Sequence, residues 1–468
     1  MWNIVLVWAG GTGMSGIAGI LHELWFTNII CIDSAQSQLT DNLQKKWLKV
    51  IIGHGIYQPK IDDAIIYSEA AVNSPEVTWA RSLISQEQKM MLIMNYFQFL
   101  GEISKYFTTI GITGTNGKSS TSALTIYGAR NIDNFGLGIL WALVPDFNNQ
   151  SYLINSNHKS EIKNIFTKIF TGKTPTPIDH KKLLFIVEAC EYKRHFLNLD
   201  LDYAAVTNIE YDHADYYKNF DDYKNAFKEM LTKLKQKCFV LKWLKQKNPE
   251  FKSFENIQEI EEKEYKFDYI FWPHTNKNAS LTLALLNTQT PNPSNLSNQS
   301  NLSNLSKFKW LRRRLEYLGT NQNWAKLFSD YGHMASSIKI GFEALKSKFP
   351  DKKITAIFQP HQINRIFTWR DDFVQSFKWY NEIIIYNIYA ARENIANFDF
   401  SKRWKNIHNI DELWKTFAKA CWWTYTDKRS DIETTIKNSD SNHVIAIFSA
   451  GDIDYEIRTN LSMTTTTI

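Results

Sequence analysis

The sequence predicts an α/β protein of three domains, and three observations lead to that prediction. The chain opens with an apolar strand-like run, a glycine cluster and a helix-like segment. A second strand, glycine-rich loop and helix follow at residues 107–127. After residue 306, apolar runs of the kind that form buried parallel strands alternate with helical segments. We therefore expect a Rossmann-like N-terminal domain, a central α/β domain of the P-loop ATPase type and a C-terminal Rossmann-like α/β domain.

The same signals predict where these domains begin and end. We expect the N-terminal domain at residues 1–106, the central domain at residues 107–287 and the C-terminal domain at residues 307–460. Residues 288–306 repeat Asn, Leu and Ser around two prolines, so they are predicted to form a low-complexity linker. Residues 461–468 are rich in threonine and are expected to form a tail.

Composition limits the classes of function. Apolar residues make up 44% and charged residues 22% of the chain, which is typical of a soluble globular protein. The net charge is +6, but basic and acidic residues are mixed, so we expect no nucleic-acid partner. The four cysteines are widely spaced without a C-x-x-C motif, which argues against disulfides or a zinc site. Without a signal peptide or an apolar run of membrane-spanning length, a cytoplasmic protein with no membrane partner is expected.

The first glycine-rich segment, residues 11–16, has the pattern G-x-G-x-x-G and follows a strand predicted at residues 1–7. A second strand, residues 28–32, ends at Asp33. In a βαβ unit this arrangement places a diphosphate at a helix N-terminus. The pattern is weak by itself and also fits a dinucleotide oxidoreductase. A second phosphate loop further along the chain disfavours that alternative.

The second glycine-rich segment, residues 111–120, is the most specific signal in the chain. It follows an apolar β-branched run and precedes a helix-like stretch, as a phosphate-binding loop does. Lys118 is predicted to contact the terminal phosphates, and the Ser119 hydroxyl to bind Mg²⁺. Because Ile112 stands where the general G-x-x-x-x-G-K-[ST] pattern has glycine, the narrower pattern T-G-T-N-G-K-S remains.

Two metal-binding side chains follow strands predicted in the same domain. Glu188 ends an apolar run that begins at Leu183, and His213 follows a run that begins at Ala204. The carboxyl ends of parallel strands meet at one edge of a sheet, so both side chains can complete a Mg²⁺ site begun by Ser119. Lys228 lies on a predicted amphipathic helix, where most lysines are simply solvated.

The sequence resembles the Mur ligase family over nearly its whole length. The resemblance is carried by motifs at 10–16 (G-G-T-G-M-S-G), 113–120, 207–213 (T-N-I-E-Y-D-H), His274 with 278–279, 330–333 (D-Y-G-H), 358–361 (F-Q-P-H) with Arg365, 389–391 and 450–453. Several long motifs in the right order are specific evidence of relationship.

The resemblance implies an ATP-dependent ligase of peptidoglycan precursor synthesis. In its alanine-adding branch, ATP phosphorylates the lactyl carboxylate of UDP-N-acetylmuramate and the amine of L-alanine attacks the acyl phosphate. Two Mg²⁺ ions are implied, with Ser119, Glu188 and His213 as metal ligands. Implied catalytic residues are Lys118, Glu188, His213, Arg314 and Lys228, the last because several relatives carry a carbamylated lysine there. Implied ATP contacts are Gly114, Thr115, Asn116, Gly117, Lys118, Ser119, Ser120, His274, Asn278, Arg314 and Asp330. Implied contacts with the other substrates are Gly11, Gly13, Met14, Ser15, Asp33, His54, His333, His361 and Arg365.

Alternatives remain open beside this expectation. Asn116 and Thr275 depart from the pattern of the alanine-adding branch, so serine or glycine could replace alanine as the amino acid. A related ligase with a folylpolyglutamate-type acceptor is a second reading, although the G-M-S-G and F-Q-P-H segments argue against it. A nucleotide-binding protein with an impaired site is a third.

That third reading depends on tryptophans that stand where the family has glycine, namely Trp8, Trp25, Trp47, Trp272 and Trp310. An indole is a poor replacement where a turn needs positive φ or close backbone approach. Average composition would give about 33 glycines, whereas the chain has 19 Gly and 16 Trp. We hypothesise that many of these codons are UGA, which the source organism reads as glycine. If the tryptophans are genuine, the substrate loop is obstructed.

Overall fold

The computed structural model describes residues 2–87, 91–173, 181–268, 272, 274–289, 303, 305–390, 409, 412 and 423–460. The chain divides into two compact units. The first unit consists of Met1–Ile270 and Thr275–Lys309, and the second consists of Phe271–His274 and Trp310–Ile468. Three sheets dominated by parallel strands confirm the predicted α/β class. Most of the predicted linker and all of the predicted tail at 461–468 lie outside the described residues.

The first sheet has five parallel strands in the order β3-β2-β1-β4-β5. Its strands are Ile4–Val7 (β1), Ile29–Asp33 (β2), Lys49–Ile52 (β3), Ala64–Tyr67 (β4) and Ile93–Asn95 (β5). The helices of this region are Thr12–Glu23 (α1), Gln38–Lys45 (α2), Pro75–Glu87 (α3) and Tyr96–Ser104 (α4). Every residue of β1 is buried, which is why this strand is a continuous apolar run. Since β1, β2 and β3 are parallel, Gly10, Asp33 and His54 come to one edge of the sheet.

The second sheet has seven strands in the order β12-β11-β10-β6-β9-β7-β8, of which only β8 is antiparallel to its neighbour. Its strands are Thr108–Thr113 (β6), Phe135–Val144 (β7), Gln150–Ile154 (β8), Leu184–Glu188 (β9), Tyr203–Val206 (β10), Cys238–Leu241 (β11) and Ile257–Ile260 (β12). The helices are Lys118–Ala129 (α5), Lys159–Thr171 (α6), Phe220–Lys233 (α7), Lys242–Lys247 (α8) and Thr275–Asn287 (α9). β6 lies between β9 and β10, so the loops that follow these three strands meet at one edge.

These first two sheets share one apolar core within the first unit. Helix α1 approaches β8 closely: a Cβ on Gly16 would lie 2.6 Å from Ser151 Oγ, and a Cβ on Gly19 would lie 2.5 Å from Tyr152 Oη. Small residues on one face of α1 therefore bring the two sheets together. The division of this unit into domains at residue 106 stays a prediction.

The third sheet forms the second unit, with six strands in the order β13-β14-β18-β15-β16-β17. Its strands are Glu316–Thr320 (β13), Lys326–Asp330 (β14), Lys353–Gln359 (β15), Glu382–Tyr386 (β16), Thr424–Thr426 (β17) and His443–Ser449 (β18). Its helices are Ala335–Lys348 (α10), Ile363–Thr368 (α11), Arg370–Phe377 (α12), Arg429–Asn438 (α13) and Ile453–Asn460 (α14). β13 forms an antiparallel hairpin with β14, and the other pairings are parallel.

Among the described helices, none combines the length and the apolar character that crossing a membrane requires.

Candidate functional site

The candidate site lies at the carboxyl edge of the second sheet, in the loop between β6 and α5. Gly114 has φ +127° and Gly117 has φ +83°, which are backbone conformations that side chains rarely adopt. A Cβ on Gly114 would lie 2.3 Å from Thr207 Oγ1 and 2.7 Å from Asn208 O, so the loop also lacks room for one. Helix α5 begins at Lys118 with neither a side-chain cap nor an acidic residue in its first turn, an arrangement suited to an anion.

Lys118 folds back over this loop. Its Nζ donates hydrogen bonds to Thr115 O and to Glu191 Oε1, both at 3.0 Å, and to Gly114 O. Burial alone would lower the pKa of Lys118, but the Glu191 carboxylate and its neighbours outweigh burial and raise that pKa above its ordinary value. Lys118 is therefore an ammonium ion at the start of a helix, with 14% of its side chain exposed.

Ser119 and Glu188 are in direct contact, as the sequence predicts. Ser119 Oγ donates a hydrogen bond to Glu188 Oε1 at 2.9 Å, and Trp141 N donates to Glu188 Oε2 at 2.8 Å. Glu188 is the last residue of β9, and Ser119 is the second residue of α5. The pairing of parallel strands thus brings the two oxygen donors together.

Glu191 is a site residue that the sequence prediction missed. It is only 1% exposed, and its Oε1 accepts from Lys118 and lies 3.6 Å from His213 Nε2. Burial raises the pKa of Glu191, but Lys118 and His213 outweigh burial and bring it below its ordinary value. Oε2 of the same carboxylate is buried without a hydrogen-bond partner among the described atoms. Glu191 stands three residues after Glu188, so the second acid in that segment was the available signal.

His213 reaches the loop through Glu191. Its Nε2 lies 3.7 Å from Asp212 Oδ2 as well as 3.6 Å from Glu191, and its ring packs 4.5 Å from the ring of Tyr192. The backbone of His213 has φ 57°, a conformation that turns the chain sharply after β10. The side chains of Lys118, Glu191 and His213 therefore form one linked set.

The segment that precedes His213 forms hydrogen bonds with the loop between β6 and α5. Thr115 Oγ1 donates to Glu210 O at 2.7 Å, and Thr115 N donates to Asn208 O at 3.2 Å. Asn116 N donates to Asn208 Oδ1 at 2.7 Å. These bonds fix the loop before any ligand binds.

Two further residues predicted to bind ATP lie beside the loop. A Cβ on Gly117 would lie 3.2 Å from Oδ1 of Asn278, a buried residue of α9. Ser120 is buried in the first turn of α5. The structure therefore brings Asn278 to the loop that carries Lys118.

Lys228 lies on α7, and its described contacts do not reach the phosphate loop. Its Nζ donates to Asn225 Oδ1 at 3.3 Å, on the same helix. The predicted catalytic role of Lys228 stays a prediction.

The loop between β1 and α1 holds a second group of predicted residues. Gly10 N donates to Asp33 Oδ2 at 2.7 Å, so this carboxylate closes the loop at the sheet edge. Helix α1 follows Gly11 without a side-chain cap and without an acidic residue in its first turn. A Cβ on Gly13 would lie 3.0 Å from the Tyr96 ring, which explains the need for glycine there.

The side chains of the other predicted residues in this region have different surroundings. The Met14 side chain is buried in the apolar core, so only its backbone lies near the loop. Ser15 Oγ donates to Thr12 O at 3.1 Å. His54 Nδ1 lies 3.0 Å from Oε2 of the buried Glu76, and the His54 ring stacks on the indole of Trp8 at 5.4 Å.

In the second unit, Asp330 and its neighbours form a compact group at the end of β14. The Asp330 carboxylate accepts bonds from two backbone N–H groups at 2.7 and 2.6 Å, and burial raises its pKa. The Arg314 guanidinium lies 5.3 Å from the centroid of the Tyr331 ring. The His274 ring lies 6.4 Å from the indole of Trp310.

The remaining predicted residues of this unit follow parallel strands β14 and β15. The rings of His333 and His361 lie 5.7 Å apart, and His361 stacks on Tyr389 at 5.9 Å. Arg365 is 5% exposed, and its guanidinium lies 3.1 Å from Met334 Sδ. The structure thus brings His333 and His361 together at one end of the third sheet.

The donor set around Ser119 fits a hard divalent cation. Magnesium prefers oxygen ligands and is commonly held by one or two protein groups together with phosphate oxygens and water. Ser119 and Glu188 supply a hydroxyl and a carboxylate already in contact. Within the described ranges, no group of three His, Cys, Asp or Glu side chains could hold a metal by itself. The residues therefore fit a magnesium ion that is shared with a nucleotide.

Comparison with known proteins agrees with this arrangement. Residues 112–269 match the model of the Mur ligase middle domain. The UDP-N-acetylmuramate–L-alanine ligase of Clostridium botulinum strain Hall is 29% identical over 457 residues, which covers 88% of this chain and 91% of that protein. The protein of the same name from Desulfitobacterium hafniense is 27% identical and covers 84% of this chain and 86% of its own.

Solved structures share the fold. The UDP-N-acetylmuramate–alanine ligase MurC of Thermotoga maritima has a TM-score of 0.70 at 19% identity and covers 98% of both chains. A murein peptide ligase from Psychrobacter arcticus has a TM-score of 0.63 at 16% identity and covers 100% of both. The resemblance of this chain to the Mur ligases, predicted from its motifs, is confirmed.

Proposed function

Starting from its similarity to the Mur ligases, we propose that this chain is an ATP-dependent ligase that joins UDP-N-acetylmuramate to L-alanine. The observation that carries the proposal is the cluster of Lys118, Ser119, Glu188 and Glu191 at the start of α5. A largely enclosed ammonium, a hydroxyl–carboxylate pair and an uncapped helix start together suit a nucleoside triphosphate with its magnesium. The C. botulinum and D. hafniense relatives carry the name of this activity.

The proposed reaction has two steps that balance without a further reactant. A lactyl carboxylate oxygen attacks the γ-phosphorus of ATP, the bond to the β-phosphate oxygen breaks, and ADP leaves. The amine nitrogen of L-alanine then attacks the acyl carbon, phosphate leaves, and the nitrogen loses a proton. Such chemistry depends mainly on positioning and on neutralising phosphoryl charge.

The site residues divide this work. Lys118 binds the phosphoryl oxygens. The proposed magnesium ligands are Ser119, Glu188 and His213, and by analogy with the family two magnesium ions are expected. Magnesium, when bound, withdraws charge from the phosphoryl oxygens. Asn278, which lies beside Gly117, is proposed to contact the nucleotide. His274, Arg314 and Asp330 are proposed to complete the ATP contacts.

Glu191 gives Lys118 a defined position before ATP arrives. The ammonium donates hydrogen bonds to Glu191 Oε1 and to loop carbonyls, so the Lys118 side chain is already ordered when the phosphates bind. We expect Lys118 to keep the Glu191 bond and to exchange its bonds to the two loop carbonyls for bonds to the phosphates.

The other substrates are assigned to the first and third sheets. The loop before α1, with Gly11, Gly13, Ser15, Asp33 and the Met14 backbone, is proposed to bind UDP-N-acetylmuramate together with His54. In the third sheet, the residues proposed to contact the amino acid are His333, His361 and Arg365. The partners are then small molecules only, and the setting is the cytoplasm.

Phosphate release from ATP tests the proposal. The purified protein is supplied with ATP, Mg²⁺ and UDP-N-acetylmuramate, and then with L-Ala, L-Ser or Gly in separate reactions. We expect release to require all substrates and to be fastest with L-Ala. Release with none of the three amino acids would remove the proposed activity, and faster release with L-Ser or Gly would change the acceptor.

Lys228 is tested separately, because the described hydrogen bond of its side chain goes to Asn225, on the same helix. If Lys228 is carbamylated and helps to hold magnesium, Lys228→Ala lowers turnover and shifts the Mg²⁺ dependence to higher concentration. Unchanged turnover and unchanged Mg²⁺ dependence would exclude it from the site. Lys233→Ala, one turn further along α7 and exposed, is the control.

A further inference from the structure

Five tryptophans have left-handed backbone conformations. Trp8 has φ 69°, Trp25 φ 58°, Trp47 φ 62°, Trp310 φ 85° and Trp324 φ 67°. In this conformation the Cβ of an L-residue approaches the following carbonyl oxygen, which disfavours every side chain and bulky ones most. Glycine has no Cβ and adopts the conformation freely.

Other aromatic residues do not share this property. Thirteen of the 16 tryptophans lie in the described ranges, and five of those thirteen are left-handed. The chain has 29 Phe and 21 Tyr, and none of those in the described ranges has positive φ. Ring size and aromaticity therefore do not explain the left-handed conformations, which among the described aromatic residues Phe, Tyr and Trp occur at tryptophan alone.

Two of these tryptophans occupy the glycine position of a helix C-terminus. After α1, Trp25 N donates to His22 O at 3.0 Å and Phe26 N donates to Leu21 O at 3.0 Å. After α2, Trp47 and the next residue make the same pair of bonds at 2.8 and 3.2 Å. This is the Schellman motif, whose left-handed residue is usually glycine. Trp25 is 62% exposed and Trp47 95% exposed, so burial of the indole contributes little to keeping it there.

A third tryptophan occupies the glycine position of a hairpin. Between β13 and β14, Trp324 N donates to Asn321 O at 3.1 Å and Asn321 N donates to Ala325 O at 3.1 Å. This is a three-residue loop whose last residue is left-handed, a position that favours glycine. Trp324 is 63% exposed. It was not among the tryptophans singled out by the family motifs, so it is independent of them.

We infer that the polypeptide made by the source cell carries glycine at residues 8, 25, 47, 310 and 324, because a codon written here as Trp is decoded there as glycine. At residue 8 the change completes G-x-G-x-x-G with Gly10 and Gly13 at the start of α1. It also removes the indole that stacks on His54. Residue 272, which the motifs also suggested, is not part of this inference.

The inference does not rest on the proposed function, because it is argued from backbone conformation, which is independent of what the protein binds. Trp310 differs from the others in that its indole is buried and its Nε1 donates to Arg314 O. Its assignment rests on the backbone alone.

Tandem mass spectrometry of the protein isolated from its source cells tests the inference directly. Peptides that cover residues 25, 47 and 324 should carry the residue mass of glycine. Peptides with tryptophan at these positions would overturn the inference, whether or not the protein is active. Tyr152 and Phe185 peptides from the same digest calibrate the mass assignment.

A stability comparison tests it without the source organism. In recombinant protein we expect Trp47→Gly to raise Tm by a few degrees, because removing a strained left-handed side chain stabilises the helix end. Trp79→Gly is the matched control: Trp79 is 44% exposed within α3 and has no positive φ, so glycine there should lower Tm. A fall in Tm for both variants would contradict the inference.

Discussion

The molecule contains two glycine-rich loops that each join a parallel strand to an uncapped helix, and they differ at the residues that turn the chain. Before α5, the left-handed residues are Gly114 and Gly117. Before α1, the left-handed residue is Trp8, with φ 69°. The loop before α5 can accept an anion in the observed conformation, whereas the loop before α1 holds the Trp8 indole beside His54.

A phosphate loop depends on its backbone more than on its side chains. Helix starts offer N–H groups whatever the neighbouring side chain is, but a bulky residue at the turn occupies the space that the ligand needs. The loop before α5 adds a largely enclosed lysine and a hydroxyl to this backbone. The loop before α1 adds a carboxylate that closes it, Asp33.

The largest expected effect comes from the charged group of the loop before α5. Lys118→Met should lower kcat by about 10²- to 10³-fold, since a preorganised charge on the reacting group is lost. Steady-state phosphate release measures it. Lys233→Met, an exposed lysine of α7, should change kcat by less than about twofold, in keeping with weak surface ion pairs. Equal losses in both variants would contradict the role of Lys118.

A smaller effect is expected at Glu191, which positions Lys118. Glu191→Gln leaves the largely enclosed Lys118 ammonium without its carboxylate and should cost about 3 kcal/mol in the free energy of unfolding. It should also raise KM for ATP, because Lys118 is no longer held. Urea unfolding and ATP titration measure the two effects. Glu229→Gln, a more exposed carboxylate paired with Arg194, should cost less than about 1 kcal/mol.

The pH dependence of that loss has a definite sign. The pKa of Glu191 is lowered from 4.5, so its stabilisation is complete above pH 4.5 and is lost as the pH falls through the folded value. The stability difference between Glu191→Gln and the parent should therefore be larger at pH 7 than at pH 4. A difference that grows as the pH falls would contradict the assigned ion pair.

The smallest effect concerns the cost of tryptophan at a helix C-terminus. Gly172 ends α6 with φ +71°, and a Cβ there would meet nothing within 4 Å. Gly172→Trp should therefore cost only the left-handed penalty, about 1–2 kcal/mol. Gly172→Asn should cost less, because asparagine tolerates this conformation. If Gly172→Trp is neutral, left-handed tryptophans such as Trp25 and Trp47 need no special explanation.

Much of the fold follows from the sequence because buried parallel strands are continuous apolar runs. The strand predicted at residues 28–32 is observed at Ile29–Asp33, and the strand predicted after Leu183 ends at Glu188 as expected. The pairing of Ser119 with Glu188 was also predictable, since both follow strands of known direction. These features depend on local pattern and on the rule that parallel strands end at one edge.

Other features depend on tertiary structure that no local pattern encodes. Glu191 reaches Lys118 because the chain turns after β9, and Lys193 and Arg194 in that turn have left-handed conformations. The close packing of α1 on β8 depends on Gly16 and Gly19, whose role is invisible until the two sheets meet. Trp324 illustrates a third case, because only the hairpin identifies its position as one for glycine.

Calorimetric titration of two recombinant proteins, the chain with Trp8 and its Trp8→Gly variant, tests the contrast between the two loops most directly. Both proteins should bind ATP with Mg²⁺ equally well, since the loop before α5 is the same in each. Only the Trp8→Gly variant should bind UDP-N-acetylmuramate tightly. Equal binding of UDP-N-acetylmuramate by both proteins would contradict the account of the loop before α1.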